Sequence, residues 1–182
     1  MSRKIYKHFQ GSLDGLCGVY AMINAVNLMF KNINSNELFD WIIHSIDKKH
    51  LSRVLTDGIS SNKEYIKFVI KPTIKYFLNK NTKINYSSLS ECANIDDYWS
   101  AIKKHQTNNG SGSVIVGIMG SHHHITCIRK ITDKTIFLYD SDGIDSLDKA
   151  SSKLEIEFDE TLLDFNKTHI FIPEETYLFS IE

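Results

Sequence analysis

The chain has 182 residues, 42% of them hydrophobic, with a formal net charge of −1, two prolines and nine glycines. That is enough apolar matter for one ordinary domain with its own core, and the composition excludes a fibrous or disordered chain. No global basic field exists to hold a phosphate backbone, so nucleic acid is excluded as a general partner.

Three cysteines, Cys17, Cys92 and Cys127, form neither a disulfide framework nor a CxxC pair. This usage fits a reducing compartment and excludes a zinc ribbon. The first residues lack the apolar run of a signal peptide, and no window is apolar enough to span a membrane. The expected location is the cytoplasm, with export by a route that reads no Sec-type signal left open.

In chain order, residues 10–14 read as a Gly/Ser loop. From Cys17 to Phe30 the chain is apolar nearly all round, which predicts a buried central helix starting at or near Cys17. Asn34 with Glu37, and Ser61 with Glu64, have the spacing of capping boxes. They predict helices running to about residue 47 and to residue 78, the second kinked at Pro72. Residues 48–62 show no clear periodicity and are expected as a mobile loop near the cleft. A short strand is expected at 84–88. A helix follows at 96–106, with Tyr98, Trp99 and Ile102 on one face; Trp41 and Trp99 are expected core anchors.

Asn108-Asn109-Gly110-Ser111-Gly112 breaks the chain, and the texture then turns to β. Strands are expected at 113–119, 123–131, 135–139, 154–158, 169–172 and 177–181, with a hairpin turn at 132–134. Helices first and an antiparallel sheet second define α+β. Residues 1–182 are read as one domain, helical to about 107 and β from 113.

The residues that carry chemistry fall in two windows. Cys17 precedes Gly18 at the start of the apolar helix. Unpaired backbone N–H groups and the positive end of the dipole there favour the reactive thiolate. Gly18 permits close approach of another backbone or a substrate. His122, His123 and His124 enter a strand, where neighbours alternate between faces, so only one of them is expected to meet Cys17. The turn at 132–134 sets residue 126 opposite 140 and 124 opposite 142. Asp140 or Asp142 can therefore orient the imidazole and stabilise its cation, and the other belongs to the turn. Gln10, upstream of Cys17, can offer an amide N–H to a developing oxyanion. His122, His123, His124 and Cys127 could also be metal ligands. Consecutive strand residues cannot all face one ion, so no metal and no cofactor is assigned.

The order Gln10, Asp14-Gly15-Leu16-Cys17-Gly18, His124, Asp140 resembles the papain-like cysteine peptidases. It is similar in particular to the compact C39-like bacterial branch, in which Asp precedes a Cys-Gly pair at a helix start. The segment from His124 to Lys130 also resembles the histidine strand of josephin-type deubiquitinases. The resemblance implies a papain-like fold, its central helix packed on the sheet, with Cys17 as nucleophile, His124 as base, Asp140 as orienter and Gln10 as oxyanion donor. His123 and Asp142 are the second choices. The Gln10-to-Cys17 spacing is longer than the family's usual one, and Gly15-Leu16 separate Asp14 from Cys17.

The expected activity is hydrolysis of a peptide or isopeptide bond through an acyl-enzyme, on a protein or peptide substrate. Glutamine deamidation or another acyl transfer uses the same parts, and a dead papain-like binding module is the reading of another class. Only nine residues precede Gln10, too few for a pro-segment; this favours an intracellular processing enzyme, an effector or a toxin.

Overall fold

The computed structural model describes residues 15–30, 32–59, 61–108, 112–119, 123–157 and 168–182. The protein is α+β; among the described residues most helices lie early in the chain and a seven-stranded sheet is assembled mainly from its second half. Helix α1 (Cys17–Met29) is apolar on nearly every side and correspondingly buried on nearly every side. It lies on the middle of the sheet, against β2 (Ser113–Met119) and β3 (His123–Ile131).

The two capping boxes start helices as the sequence predicts. Asn34 accepts from the Glu37 N–H at 3.2 Å and opens α2 (Ser35–His44). Ser61 accepts from the Glu64 N–H at 3.3 Å and opens α4 (Asn62–Tyr65). From α4 the chain continues through a π turn (Ile66–Ile70) into α5 (Lys71–Leu78). The irregularity expected at Pro72 thus falls just before it. Proline has no N–H to give the helical ladder, and the ladder widens upstream to accommodate it.

Strands run in the order β1 (Ile84–Ser88), β7 (His169–Ile181), β2, β3, β4 (Thr135–Tyr139), β5 (Ser146–Asp148). All these pairings are antiparallel; β6 (Ser152–Leu154) adds to β7 in parallel. Alternation along the strands divides the apolar side chains between two cores. Ile115, Ile125, Cys127, Tyr177 and Phe179 pack under α1 and its neighbours. Val114, Val116, Ile118, Ile128, Leu138 and Phe171 pack with Tyr98, Trp99 and Ile102 of α6 (Ile95–Asn108) on the opposite face. Trp99 is buried, while Trp41 is half-buried and donates its indole N–H to the Pro72 carbonyl at 3.0 Å.

Three expectations are corrected. The segment after residue 47 is not a loop but helix α3 (Lys48–Asp57). Its charged composition hid a narrow apolar side: Val54 is fully buried and Leu51 half-buried one turn before it. The strand expected at 154–158 ends at Leu154 and gives way to a 3₁₀ turn (Glu155–Glu157), with Phe158 outside the described residues. The two strands expected at 169–172 and 177–181 are one strand, β7, interrupted by a bulge. Opposite β2, Gly117 pairs with Ile172 but Ile115 pairs with Tyr177, so residues 173–176 have a single residue facing them.

Candidate active site

The approach to Cys17 is held by two glycines. The Gly15 N–H donates to the Leu55 carbonyl at 2.8 Å, tying the segment before α1 to the last turn of α3. Gly58, which ends α3, has φ of +80°, and a Cβ on Gly15 would lie 2.2 Å from its nitrogen. Only glycine fits either position. Cys17 then opens α1 half-buried, and Leu16 supplies no side-chain cap.

Gly18 lies against a side chain. The ring of Tyr65 comes nearest, with Cε2 2.8 Å from where a Cβ would stand, followed by Ile125 Cδ1 at 3.5 Å. The Tyr65 hydroxyl donates to the Gly18 carbonyl at 3.1 Å. The first turn of α1 is thereby clamped between α4 and the beginning of β3. Gly18→Ala forces the buried Tyr65 ring away. It is expected to cost roughly 1–3 kcal/mol in urea unfolding.

His124 is 6% exposed, near the start of β3. Its Nε2 bonds Asp140 Oδ1, and the ring also hydrogen-bonds Cys17. With Nε2 engaged by the carboxylate, Nδ1 is the nitrogen left for the thiol. Burial pulls His124 down, but the hydrogen bonds and negative charge of Asp140 and Cys17 outweigh it, and the imidazole is pushed up to about 10. Asp140 is fully buried at the end of β4. Its Oδ2 accepts the N–H groups of Asp142 at 2.8 Å and Ile144 at 3.1 Å. Burial raises the carboxyl, and the His124 hydrogen bond and charge more than compensate, so it lies below the usual carboxylate range.

The hairpin register explains this meeting. Cys127 pairs with Tyr139 and Ile128 with Leu138, which continues to 126 opposite 140. Residue 124 is then diagonal to 140 on one face of the pair, within side-chain reach. The structure brings Cys17, His124 and Asp140 together. Asp142 contributes its backbone N–H to Asp140 while its side chain is exposed in the turn. Gln10 and His122 lie outside the described residues.

His123 points elsewhere. Its Nε2 lies 2.5 Å from Glu175 Oε2. That hydrogen bond outweighs burial and raises the imidazole above its ordinary value. Glu175 was invisible as a site residue in the sequence, where Pro173-Glu174-Glu175 reads as a break. The β7 bulge turns its side chain over Gly117, where a Cβ would be 2.4 Å from Oε2. The only sequence signal for this was the glycine inside an otherwise apolar strand, which marks a close approach.

No family model matches the chain, and no curated protein matches it.

Proposed function

We propose that the protein is a papain-like cysteine-nucleophile hydrolase that cleaves a peptide or isopeptide bond through an acyl-enzyme. One observation carries this: a buried imidazole held between a half-buried thiol at a helix start and a fully buried carboxylate. That is the arrangement of a nucleophile, its acid–base partner and its orienter. A buried central helix bearing the cysteine, packed on an antiparallel hairpin bearing the other two, supports the papain-like assignment.

In the reaction, the Cys17 thiolate attacks the carbonyl carbon, forming the C–S bond and an oxyanion. The backbone N–H groups of Cys17 and Gly18, at the uncapped end of α1, can receive that charge. Collapse breaks the C–N bond as the proton on His124 Nδ1 passes to the leaving amine. The neutral imidazole next takes a proton from water, whose oxygen attacks the thioester. The C–S bond breaks, the acid leaves, and the proton on His124 restores the starting pair. Asp140 stays ionised throughout, keeping Nδ1 directed at sulfur.

The test is alkylation. Burial raises the thiols of both Cys92, where Asp97 adds to the effect, and Cys127, which is fully buried. Iodoacetamide at neutral pH is therefore expected to label Cys17 at least about tenfold faster than either, as read by peptide mass spectrometry. Equal, slow labelling of all three would sink the proposal.

A further inference from the structure

Where His124 meets Asp140, the ladder between β3 and β4 has run out. Its last pair on this side is Cys127 with Tyr139, and Asp140 lies one residue beyond. The bonds that Asp140 Oδ2 accepts from the Asp142 and Ile144 N–H groups fasten the carboxylate to its own turn. Its tie to the strand that carries His124 has to come from side chains.

Thr126 is placed to supply one. In the continued register it stands opposite Asp140, where Cβ atoms are about 5 Å apart, and it shares a strand face with His124. It is 1% exposed. On its other side it pairs with Val116, part of the apolar cluster, which offers no acceptor. Along its own strand face the neighbours are Ile128 and His124, and the His124 ring is already engaged by Asp140 and Cys17. Among the described residues the Thr126 hydroxyl meets no partner at ordinary hydrogen-bond geometry. The acceptor it reaches, by a longer or more bent bond, is Asp140, whose carboxyl it helps to hold down. A buried hydroxyl without an acceptor is costly, and valine has nearly the same shape. The carboxylate across the strand is what makes threonine the better residue here.

We infer that Thr126 is a positioning residue of the proposed active site, its hydroxyl donating to Asp140 and holding the carboxylate against His124. This rests on the proposed thiol chemistry and adds to it a group that touches no reacting atom. The Asp142 and Ile144 bonds let Asp140 move with the turn. The Thr126 bond makes it move with β3, and so with the imidazole. The thiolate is stabilised by the imidazolium, and the imidazolium by that carboxylate. With the carboxylate loosened from β3, the thiolate forms only at higher pH.

The experiment compares Thr126→Val, which removes the hydroxyl and keeps the branched shape, with Thr126→Ser, which keeps the hydroxyl and drops the methyl. Two quantities are measured on the full chain. One is the titration of the Asp140 carboxyl by its carbon-13 resonance, assigned by its loss in Asp140→Asn. The other is the rate of Cys17 alkylation by iodoacetamide across the acid range. In Thr126→Val the carboxyl is expected to titrate at higher pH than in the unmodified protein. Alkylation on the acid limb is expected to slow by about fivefold, the effect of one ordinary hydrogen bond. Thr126→Ser is expected to keep both. Thr126→Ala also lacks the hydroxyl and is expected to follow Thr126→Val, so the outcome does not depend on the fold of one variant. An unmoved carboxyl titration or an unmoved acid limb in Thr126→Val, or equal changes in Thr126→Val and Thr126→Ser, overturns the assignment. Slow labelling of Cys17 in the unmodified protein at neutral pH is a separate result. It overturns the thiol chemistry beneath, while the carboxyl titration still decides whether Thr126 holds Asp140.

Discussion

Replacing Asp140 by alanine is expected to lower both turnover and stability. The carboxylate is fully buried, and its donors include His124 Nε2–H and the N–H groups of Asp142 and Ile144. Removing it leaves a buried imidazolium without its counter-ion, a loss of about 3–5 kcal/mol, and leaves the turn after β4 without its anchor. Asp140→Asn separates shape from charge. If the amide oxygen faces His124, the NH₂ group meets the two backbone donors; if it is flipped, the NH₂ group meets Nε2–H. One end is unsatisfied either way, so the isosteric variant is still expected to lose about 1–3 kcal/mol in chemical unfolding.

The same pair sets a pH dependence with a definite sign. His124 is raised to about 10, so its contribution to stability is complete below its ordinary value near 6.5 and is lost as pH climbs toward 10. Asp140 is lowered, so its contribution is present above its ordinary value near 4 and is lost as pH falls through the lower folded value. The pair therefore stabilises most between about pH 4 and 6.5 and fades on the alkaline side. In Asp140→Asn the imidazole loses the carboxylate's charge, and its titration, followed by the ring C–H proton resonances, is expected to move down from about 10 toward its ordinary range. A titration left in place by the substitution would show that Asp140 does not hold the imidazolium.

The sequence was legible where a single local rule decides. Asn34 and Ser61 announce their helices because a short side chain must satisfy an N–H three residues on. The hairpin turn at 132–134 fixes the register at Cys127 and Ile128, and with it the approach of Asp140 to His124. A bulge at Arg129 shifts the register nearer the turn, yet leaves the pairing at the site end as expected. What was not legible depended on partners distant in the chain. Helix α3 has too few apolar residues to show a period, and it is fixed by packing Val54 and by the Gly15–Gly58 contact. β7 looks broken because proline and two glutamates usually interrupt a strand. Here Thr176 ties the bulge together, its hydroxyl donating to the Ile172 carbonyl at 3.0 Å and meeting the buried Tyr98 hydroxyl at 2.7 Å. Glu175 could be placed beside His123 only after that bulge was known. Of three histidines in a row, alternation alone could say that 123 and 124 part company; that His124 is the one that meets Cys17 is visible only in the folded chain.

Cys17→Ala is expected to abolish turnover while leaving the fold intact. The two effects separate because the thiol is half-buried at the start of a helix whose hold on the sheet comes from other residues: Val19, Met22, Ile23 and Val26 are each no more than 1% exposed. Losing one sulfur from such a place costs on the order of 1 kcal/mol or less. Losing the nucleophile removes the covalent route, and a fall of about 10⁴-fold or more in kcat/KM follows. His124→Ala is expected to match that loss of activity without matching the stability, since it strips a buried carboxylate of its imidazole partner. Because the two groups act as one unit, the double variant is expected to be no less active than either single one. Losses that multiply would mean that Cys17 and His124 serve separate steps, and the ion-paired mechanism would fall. The readout is kcat/KM on any peptide amide the unmodified protein cleaves, with urea unfolding of each variant as the measure of fold.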